Sequence, residues 1–163
     1  MGMVKEIREK QNQIVVMINS IFDEMVRKVE DLEKKENSYE NKYESSYPIK
    51  NTTSFKGKKP IAVKFGEERR ITPTWKKVIE EIMEKVLEDE KMKKRVLDLR
   101  DKILGRKRSR LSYKSENMRS PLKLYDELYI ETNYDAETLM NLLIQILEEI
   151  SYNYNSIQII IKN

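Results

Sequence analysis

Residues 105–133 read GRKRSRLSYKSENMRSPLKLYDELYIETN and contain the two features that decide the predicted fold and function. Four of the first six residues are basic: Arg106, Lys107, Arg108 and Arg110. The stretch ends in an alternating segment, 128–132, which we expect to be a strand that leads into a helix. Backbone N–H groups point outward at a helix N-terminus, so a cationic loop beside this turn predicts a binding site for an anion.

Downstream of this stretch, the pattern predicts a helix followed by a strand. Asp135 is the predicted N-cap of a helix in which apolar residues recur at helical spacing up to Ile150. The chain then ends in the segment 156–162, where apolar residues occupy both faces of an alternating pattern. Such a segment is typical of a central strand.

Upstream, the pattern predicts a hairpin and two helices. Pro60–Phe65 alternates, and a turn at Gly66 leads into a short return strand at 69–72. We interpret Thr72 and Pro73 as the N-cap and first residue of a helix. A second helical stretch follows, and Gly105 is its predicted C-terminal stop.

These segments predict an α+β fold, in which a long coiled-coil-like N-terminal helix precedes a small compact domain. The domain is predicted over residues 56–163, with the element order ββααβαβ and its helices on one face of the sheet. If the two strands within 128–161 are parallel neighbours in the sheet, we expect the helix between them to form a right-handed crossover connection. Residues 37–55 are polar and contain Pro48, so we expect a linker.

Residues 1–36 are the predicted oligomerisation helix. Apolar residues recur at heptad positions a and d, interrupted by the polar residues Gln11 and Lys28, which could fix register. The predicted oligomerisation residues are Ile7, Ile14, Ile18, Ile21, Phe22, Met25 and Leu32. Isoleucine at both a and d favours three or four strands, although packing on the chain's own folded domain is an alternative. We favour a homo-oligomer formed through residues 3–36.

The composition excludes several classes of function. The chain has no cysteine and no histidine, which excludes Ser-His-Asp and Cys-His catalysis and nearly all zinc sites. Glu131 and Asp135 are too few carboxylates to predict a Mg²⁺ site. We therefore expect a protein without catalytic residues, metal or cofactor. With no signal peptide and no membrane-spanning run, we also expect a cytoplasmic protein without a membrane partner.

Charge is strongly segregated along the chain. Residues 56–125 contain 22 basic and 11 acidic residues, whereas residues 126–163 contain 1 basic and 7 acidic residues. The basic block indicates an anionic partner. The alternative is that its cations are solvated or pair with the acidic C-terminal third of the same chain.

The predicted ligand-binding residues are Arg106, Lys107, Arg108, Arg110, Ser112, Arg119, Tyr129, Glu131 and Asn133. The planar guanidinium groups of arginine match phosphate oxygens in a bidentate way. Tyr129 and Asn133 would contact a base or ribose. Trp75 could stack on a ring, but its phase with Val78 and Ile79 favours a core position.

Three short motifs carry a resemblance to known proteins: Thr74-Trp75-Lys76, the GRKR run at 105–108 with Leu111-Ser112, and the LYIETN segment at 128–133. Through these motifs, residues 58–161 resemble a poorly characterised C-terminal module of bacterial and prophage proteins, some encoded near restriction or phage-defence genes. The resemblance implies a setting of host–virus conflict, but the module has no established activity.

The first hypothesis is a non-enzymatic, oligomeric protein that binds a phosphate-bearing ligand, such as a nucleotide signal that a viral or mobile-element factor sequesters. One alternative is a DNA- or RNA-binding protein that uses the basic block at 91–123. Another is a protein-targeting inhibitor or adaptor that acts through the coiled coil.

Overall fold

The structure, a computed structural model, describes the backbone of residues 2–163 and the side chains of all these residues except 36–42. It divides the chain into two units, Met1–Tyr43 and Glu44–Asn163. The first unit contains one helix, α1 (Gly2–Tyr43). The helices of the second unit are α2 (Trp75–Leu87), α3 (Glu90–Asp98) and α4 (Ala136–Glu149). Its strands are β1 (Glu44–Pro48), β2 (Pro60–Phe65), β3 (Glu68–Ile71), β4 (Leu111–Ser112), β5 (Pro121–Tyr125), β6 (Leu128–Glu131) and β7 (Ile157–Lys162). The predicted α+β class is confirmed.

A four-stranded antiparallel sheet has the order β1-β7-β2-β3. The predicted hairpin forms between β2 and β3, with Phe65 opposite Glu68 and Gly66 in the turn at a φ of 63°. Strand β7 has a neighbour on each side, which confirms the predicted central strand. Ile157, Ile159 and Ile161 belong to the hydrophobic core on one face, and Ile160 is buried on the other face, where Gln158 and Lys162 are exposed.

The remaining three strands form a separate antiparallel sheet with the order β4-β6-β5. The predicted order ββααβαβ in one sheet is therefore wrong. Strands β6 and β7 lie in different sheets, so the conditional right-handed crossover between them does not form. Strand β4 is only two residues long and β5 contains a proline, which explains why the alternation of side chains did not reveal them.

The two sheets share one hydrophobic core. Helix α2 packs against β2 of the first sheet, β5 of the second, and the helices α3 and α4. Residues from all these layers belong to one buried cluster, including Val63, Ile82, Ile130, Ile146 and Ile159. The core therefore fixes the second sheet, and with it the loops around β6, relative to the rest of this unit.

Two of the predicted helix boundaries are wrong. The N-cap of α2 is Thr74, whose hydroxyl accepts a hydrogen bond from the backbone N–H of Lys77, while Thr72 is buried. Helix α3 ends at Asp98 rather than near Gly105, because residues 99–102 turn toward β4 and the Asp101 N–H donates to the Leu111 carbonyl. The predicted cap at Asp135 is confirmed, since its carboxylate accepts from the Thr138 N–H at 2.7 Å.

The prediction of a linker at 37–55 is the one that differs most from the structure. The backbone remains helical to Tyr43, β1 then pairs with β7, and a 3-10 turn follows at Thr52–Phe55. Ile49 and Phe55 are buried in the core, so the folded unit begins at Glu44 rather than at residue 56. The error arises because β1 is an edge strand with few aliphatic residues, so its sequence lacks the alternation of apolar and polar residues that indicates a strand. The side chains of residues 37–42 lie outside the described part of the chain.

Helix α1 confirms the predicted N-terminal helix and extends it by seven residues beyond residue 36. Its apolar side chains are exposed, with Ile7 at 64% and Phe22 at 59%. Among the helices that the structure describes, none is both long and apolar enough to cross a membrane.

Candidate anion-binding site

The basic loop folds into a tight hairpin. The Gly105 N–H donates to the Arg108 carbonyl at 2.8 Å, and the Arg110 N–H donates to the Ile103 carbonyl at 2.8 Å. We call residues 103–110 the basic hairpin, and its tip consists of Arg106 and Lys107. Two backbone hydrogen bonds therefore close the turn within the hairpin. A Cβ at Gly105 would lie 3.2 Å from the Arg108 carbonyl oxygen, which explains the glycine at this position.

Two hollows of about 470 Å³ each adjoin the basic hairpin. The first hollow is lined by Gly105, Arg106, Lys107, Arg108, Ser109, Arg119, Glu131, Asn133 and Tyr134. The second hollow is lined by Asp101, Lys107, Arg108, Ser109, Ser112, Lys114, Glu116, Asn117 and Met118. Lys107, Arg108 and Ser109 line both, so the hairpin forms the wall between the two hollows.

The cations of the hairpin are not paired with the acidic residues that line the same hollows, Asp101 and Glu116 in the second hollow and Glu131 in the first. Within the part of the chain that the structure describes, Arg106, Lys107, Arg108 and Arg119 have no side-chain hydrogen bond and no ion pair. Acidic groups of the C-terminal third are engaged elsewhere. Asp135 caps α4, and Glu148 accepts a hydrogen bond from the Tyr154 hydroxyl at 2.8 Å. The alternative in which the acidic third neutralises the hairpin is not observed among these residues.

Glu131 anchors one wall of the first hollow. Its carboxylate accepts hydrogen bonds from four backbone N–H groups, those of Arg119 at 2.7 Å, Ser120 at 2.9 Å, Thr132 at 3.1 Å and Asn133 at 3.0 Å. The residue is 7% exposed. Burial by itself raises the pKa of Glu131, but the four N–H groups outweigh burial and hold the pKa below its ordinary value.

This arrangement corrects the predicted role of Glu131. The loop at 119–120 and the turn that follows β6 donate four hydrogen bonds to its carboxylate, three to Oε1 and one to Oε2, so the side chain holds these two segments together. Glu131 instead positions Arg119 and Asn133, which both line the first hollow. Because the four donors are aimed at the carboxylate, the negative charge is also largely compensated locally.

The structure brings most of the remaining predicted site residues together. Arg106, Lys107, Arg108, Arg119 and Asn133 line the first hollow, and Ser112 lines the second. Two predicted residues do not line either hollow: Arg110 and Tyr129. Tyr129 is half-buried on β6, where it pairs with Ser112 and Lys123.

Tyr134 is the aromatic residue that sequence reasoning missed. It lines the first hollow, and the guanidinium carbon of Arg110 lies 5.3 Å from the centre of its ring. The Nε atom of Arg110 is buried and has no hydrogen-bond acceptor among the residues described. The signal in the sequence was the position of Tyr134 directly after Asn133, in the turn that leads into α4.

Trp75 lies outside both hollows. Its ring packs against Phe55, with the ring centres 5.2 Å apart, and its indole N–H donates to the Lys58 carbonyl at 2.9 Å. This placement agrees with the core interpretation and not with stacking on a ligand ring at this site.

The two arginines in the upstream half of the basic block contact groups of the folded unit itself, whereas Lys91, Lys94 and Lys102 in the same half are exposed. Arg95 donates to the Ile150 carbonyl at 2.7 Å, and Arg100 donates to the carbonyls of Leu97 at 2.8 Å and Glu127 at 2.9 Å. Arg100 also lies 3.8 Å from the centre of the Tyr113 ring. These arginines hold the folded unit together.

The described residues contain no group of three or more acidic side chains that could hold a metal ion. Comparison with known proteins gave no match to any family model, curated protein or solved structure.

Proposed function

We propose that this chain is a non-enzymatic protein that binds phosphate groups, and that its partner is a nucleic acid. The observation that carries the proposal is the basic hairpin, because Arg106, Lys107 and Arg108 are exposed and have no acidic partner among the described residues. Guanidinium groups bind phosphate oxygens through paired hydrogen bonds. Neutralising a backbone phosphate also releases condensed counterions, which favours binding at moderate salt.

The shape of the site favours a strand of phosphates over a single small ligand. Sites for small molecules enclose most of the ligand and have mainly apolar linings. Here, the residues that line the two adjoining hollows are mainly of charged and polar types, and the hollows share cations of the hairpin. Arg119 in the first hollow and Lys114 in the second extend the cationic surface to either side. A nucleic-acid backbone that crosses the hairpin would place successive phosphates at both hollows.

A second candidate function is capture of a small nucleotide in the first hollow. The specific observation in its favour is Tyr134, whose ring lines this hollow and could contact a base, beside the buried and unpartnered Nε of Arg110. Asn133 lines the same hollow and offers an amide to a ribose or base. In the setting of host–virus conflict that the resemblance implies, such a ligand would be a nucleotide signal, although the module itself has no established activity.

The two candidates are separated by direct titration. We expect fluorescently labelled duplex DNA, single-stranded DNA and single-stranded RNA to report binding by anisotropy at micromolar protein or below. ATP, GTP and inorganic phosphate are then added as competitors. Binding of an oligonucleotide without displacement by millimolar mononucleotide supports the first proposal. Calorimetric binding of a mononucleotide without oligonucleotide binding would replace it with the second candidate, and no binding to any of these probes would contradict both.

A further inference from the structure

We propose that the apolar stripe of α1 is the interface of a parallel, in-register bundle of at least three copies of this chain. The inference does not rest on the proposed function. The inference is based on three observations: the width of the stripe, its exposure to solvent, and the position of one polar residue within it.

The stripe consists of twelve apolar residues: Met3, Val4, Ile7, Ile14, Val15, Ile18, Ile21, Phe22, Met25, Val26, Val29 and Leu32. At 100° per residue, all twelve fall within an arc of about 140° and extend for about 45 Å along the helix. Their exposed fractions lie between 45% and 77%. The stripe is thus straight, wide and open to solvent in the single chain.

The stripe is large enough for a stable interface between chains. A side chain of this kind that is moved from half exposed to buried removes roughly 50–80 Å² from water. Twelve such side chains therefore remove roughly 600–1,000 Å² per helix, which is comparable with the ~800 Å² per partner of a standard specific interface. An arc of about 140° is wider than the seam of a two-stranded coiled coil, so each helix needs neighbours on two sides.

Gln11 indicates that the neighbours are copies of this chain in parallel register. It lies inside the arc, between Val4 and Ile18 on the same face. In a parallel, in-register bundle each Gln11 amide meets another, and an amide supplies both the donor and the acceptor for such a pair. An antiparallel pair centred on Ile18 would instead place Gln11 opposite Met25, where a buried amide lacks a good partner.

The heptad pattern places a second polar residue, Lys28, at a d position toward the C-terminal end of the stripe. On a helix with 3.6 residues per turn, Lys28 lies at the edge of the arc. Its ammonium group is 3.6 Å from the Glu24 carboxylate and both side chains are largely exposed. Gln11 is therefore the one polar residue near the middle of the stripe, as is typical of a position that sets register.

Cysteine cross-linking of the full-length protein tests the orientation, because the chain has no native cysteine. The single variants are Ile7→Cys near one end of the stripe, Ile18→Cys at its centre, and Glu9→Cys on the opposite face as the control. A parallel, in-register bundle brings equivalent Cβ atoms close enough for a disulfide, so we expect Ile7→Cys and Ile18→Cys to cross-link under mild oxidation and Glu9→Cys not to. Cross-linking of Ile18→Cys without Ile7→Cys means an antiparallel arrangement and overturns the proposal, as does the absence of cross-linking for both.

Native mass spectrometry tests the number of copies with a matched pair of variants. Val15 lies in the stripe, whereas its neighbour Val16 lies on the far side of the helix and is 68% exposed. We expect the native protein and Val16→Asp to contain at least three chains, and Val15→Asp to dissociate at the same concentration. A native protein that is a monomer or dimer would overturn the proposal, as would equal effects of the two substitutions. The cross-linking variants are milder changes and decide the question if Val15→Asp does not fold.

Discussion

The two halves of the basic block differ in what their arginines contact. In α3 and the turn after it, Arg95 and Arg100 donate to backbone carbonyls. In the basic hairpin, Arg106 and Arg108 have no acceptor among the residues that the structure describes. Both halves have a similar density of positive charge in the sequence. The arginines of the two halves therefore differ in the contacts that the fold supplies and not in the density of charge around them.

The difference follows from the local backbone. Helices end in carbonyl groups that have no partner within the helix, and arginines near such ends can satisfy them. Ile150 is the C-cap of α4, and its carbonyl accepts from Arg95. The hairpin satisfies the backbone of its own turn, with a hydrogen bond from the Gly105 N–H to the Arg108 carbonyl. The side chains of Arg106, Lys107 and Arg108 are exposed to solvent.

Removing the hairpin charges should have the largest effect on binding. The triple variant Arg106→Gln, Lys107→Gln and Arg108→Gln should bind oligonucleotide on the order of 100-fold more weakly, because three exposed cation–phosphate contacts of about 1 kcal/mol each sum to about 3 kcal/mol. Anisotropy titrations at fixed salt measure this change.

The matched control removes the same charge from the other half, with Lys91→Gln, Lys94→Gln and Lys102→Gln. These lysines are exposed and should change the affinity by less than about fivefold, through long-range electrostatics alone. Equal losses in the two triple variants would show that the comparison between the halves has no functional meaning.

Glu131→Gln should have the next largest effect, because an amide keeps one acceptor oxygen for the four N–H groups that the carboxylate now satisfies. We expect the free energy of unfolding to fall by about 2 kcal/mol, and the affinity for oligonucleotide to fall as Arg119 loses its position. Urea denaturation and anisotropy measure the two changes.

The pH dependence provides a second readout for Glu131. Because folding lowers its pKa from the ordinary value of 4.5, its stabilisation is fully present above that value and is lost as the pH falls through the folded pKa. Stability of the native protein should therefore decline on acidification below about pH 4.5, and the decline should be shallower for Glu131→Gln. Parallel pH profiles for the two proteins would contradict the assigned role.

Arg95→Met should have a smaller effect than Glu131→Gln. In contrast to the hairpin variants, it should lower the stability of the protein and leave its affinity for oligonucleotide nearly unchanged. The substitution keeps an apolar stem but removes the donor to the Ile150 carbonyl. The free energy of unfolding should fall by about 1–2 kcal/mol, with little change in the affinity for oligonucleotide. A loss of affinity without a loss of stability would place Arg95 in the binding site and remove the distinction between the halves.

The elements that could be predicted from the sequence are those with a strong local pattern. The hairpin of β2 and β3, the central strand β7 and the cap at Asp135 each follow from alternation or from turn and cap residues. Strand β1 and the division into two sheets could not be predicted, because they depend on pairings between residues far apart in sequence. Ser45 opposite Ile161, for example, has no local signature.

The candidate site could also be predicted only in part from the sequence. The cations of the hairpin were predictable from composition, because a run of arginines remains a run of arginines in any fold. The engagement of Glu131 by four N–H groups was not, since two of the donors come from Arg119 and Ser120, more than ten residues away. Tyr134 was missed because its position at the first hollow depends on how the turn after β6 is held.

The salt dependence of oligonucleotide binding tests the central claim most directly. If Arg106, Lys107 and Arg108 neutralise backbone phosphates, the slope of log affinity against log salt for duplex DNA should be shallower by about 2–3 in the hairpin triple variant than in the native protein. The triple variant of Lys91, Lys94 and Lys102 should keep nearly the native slope. An unchanged slope in the hairpin variant would contradict the claim that these side chains bind phosphate.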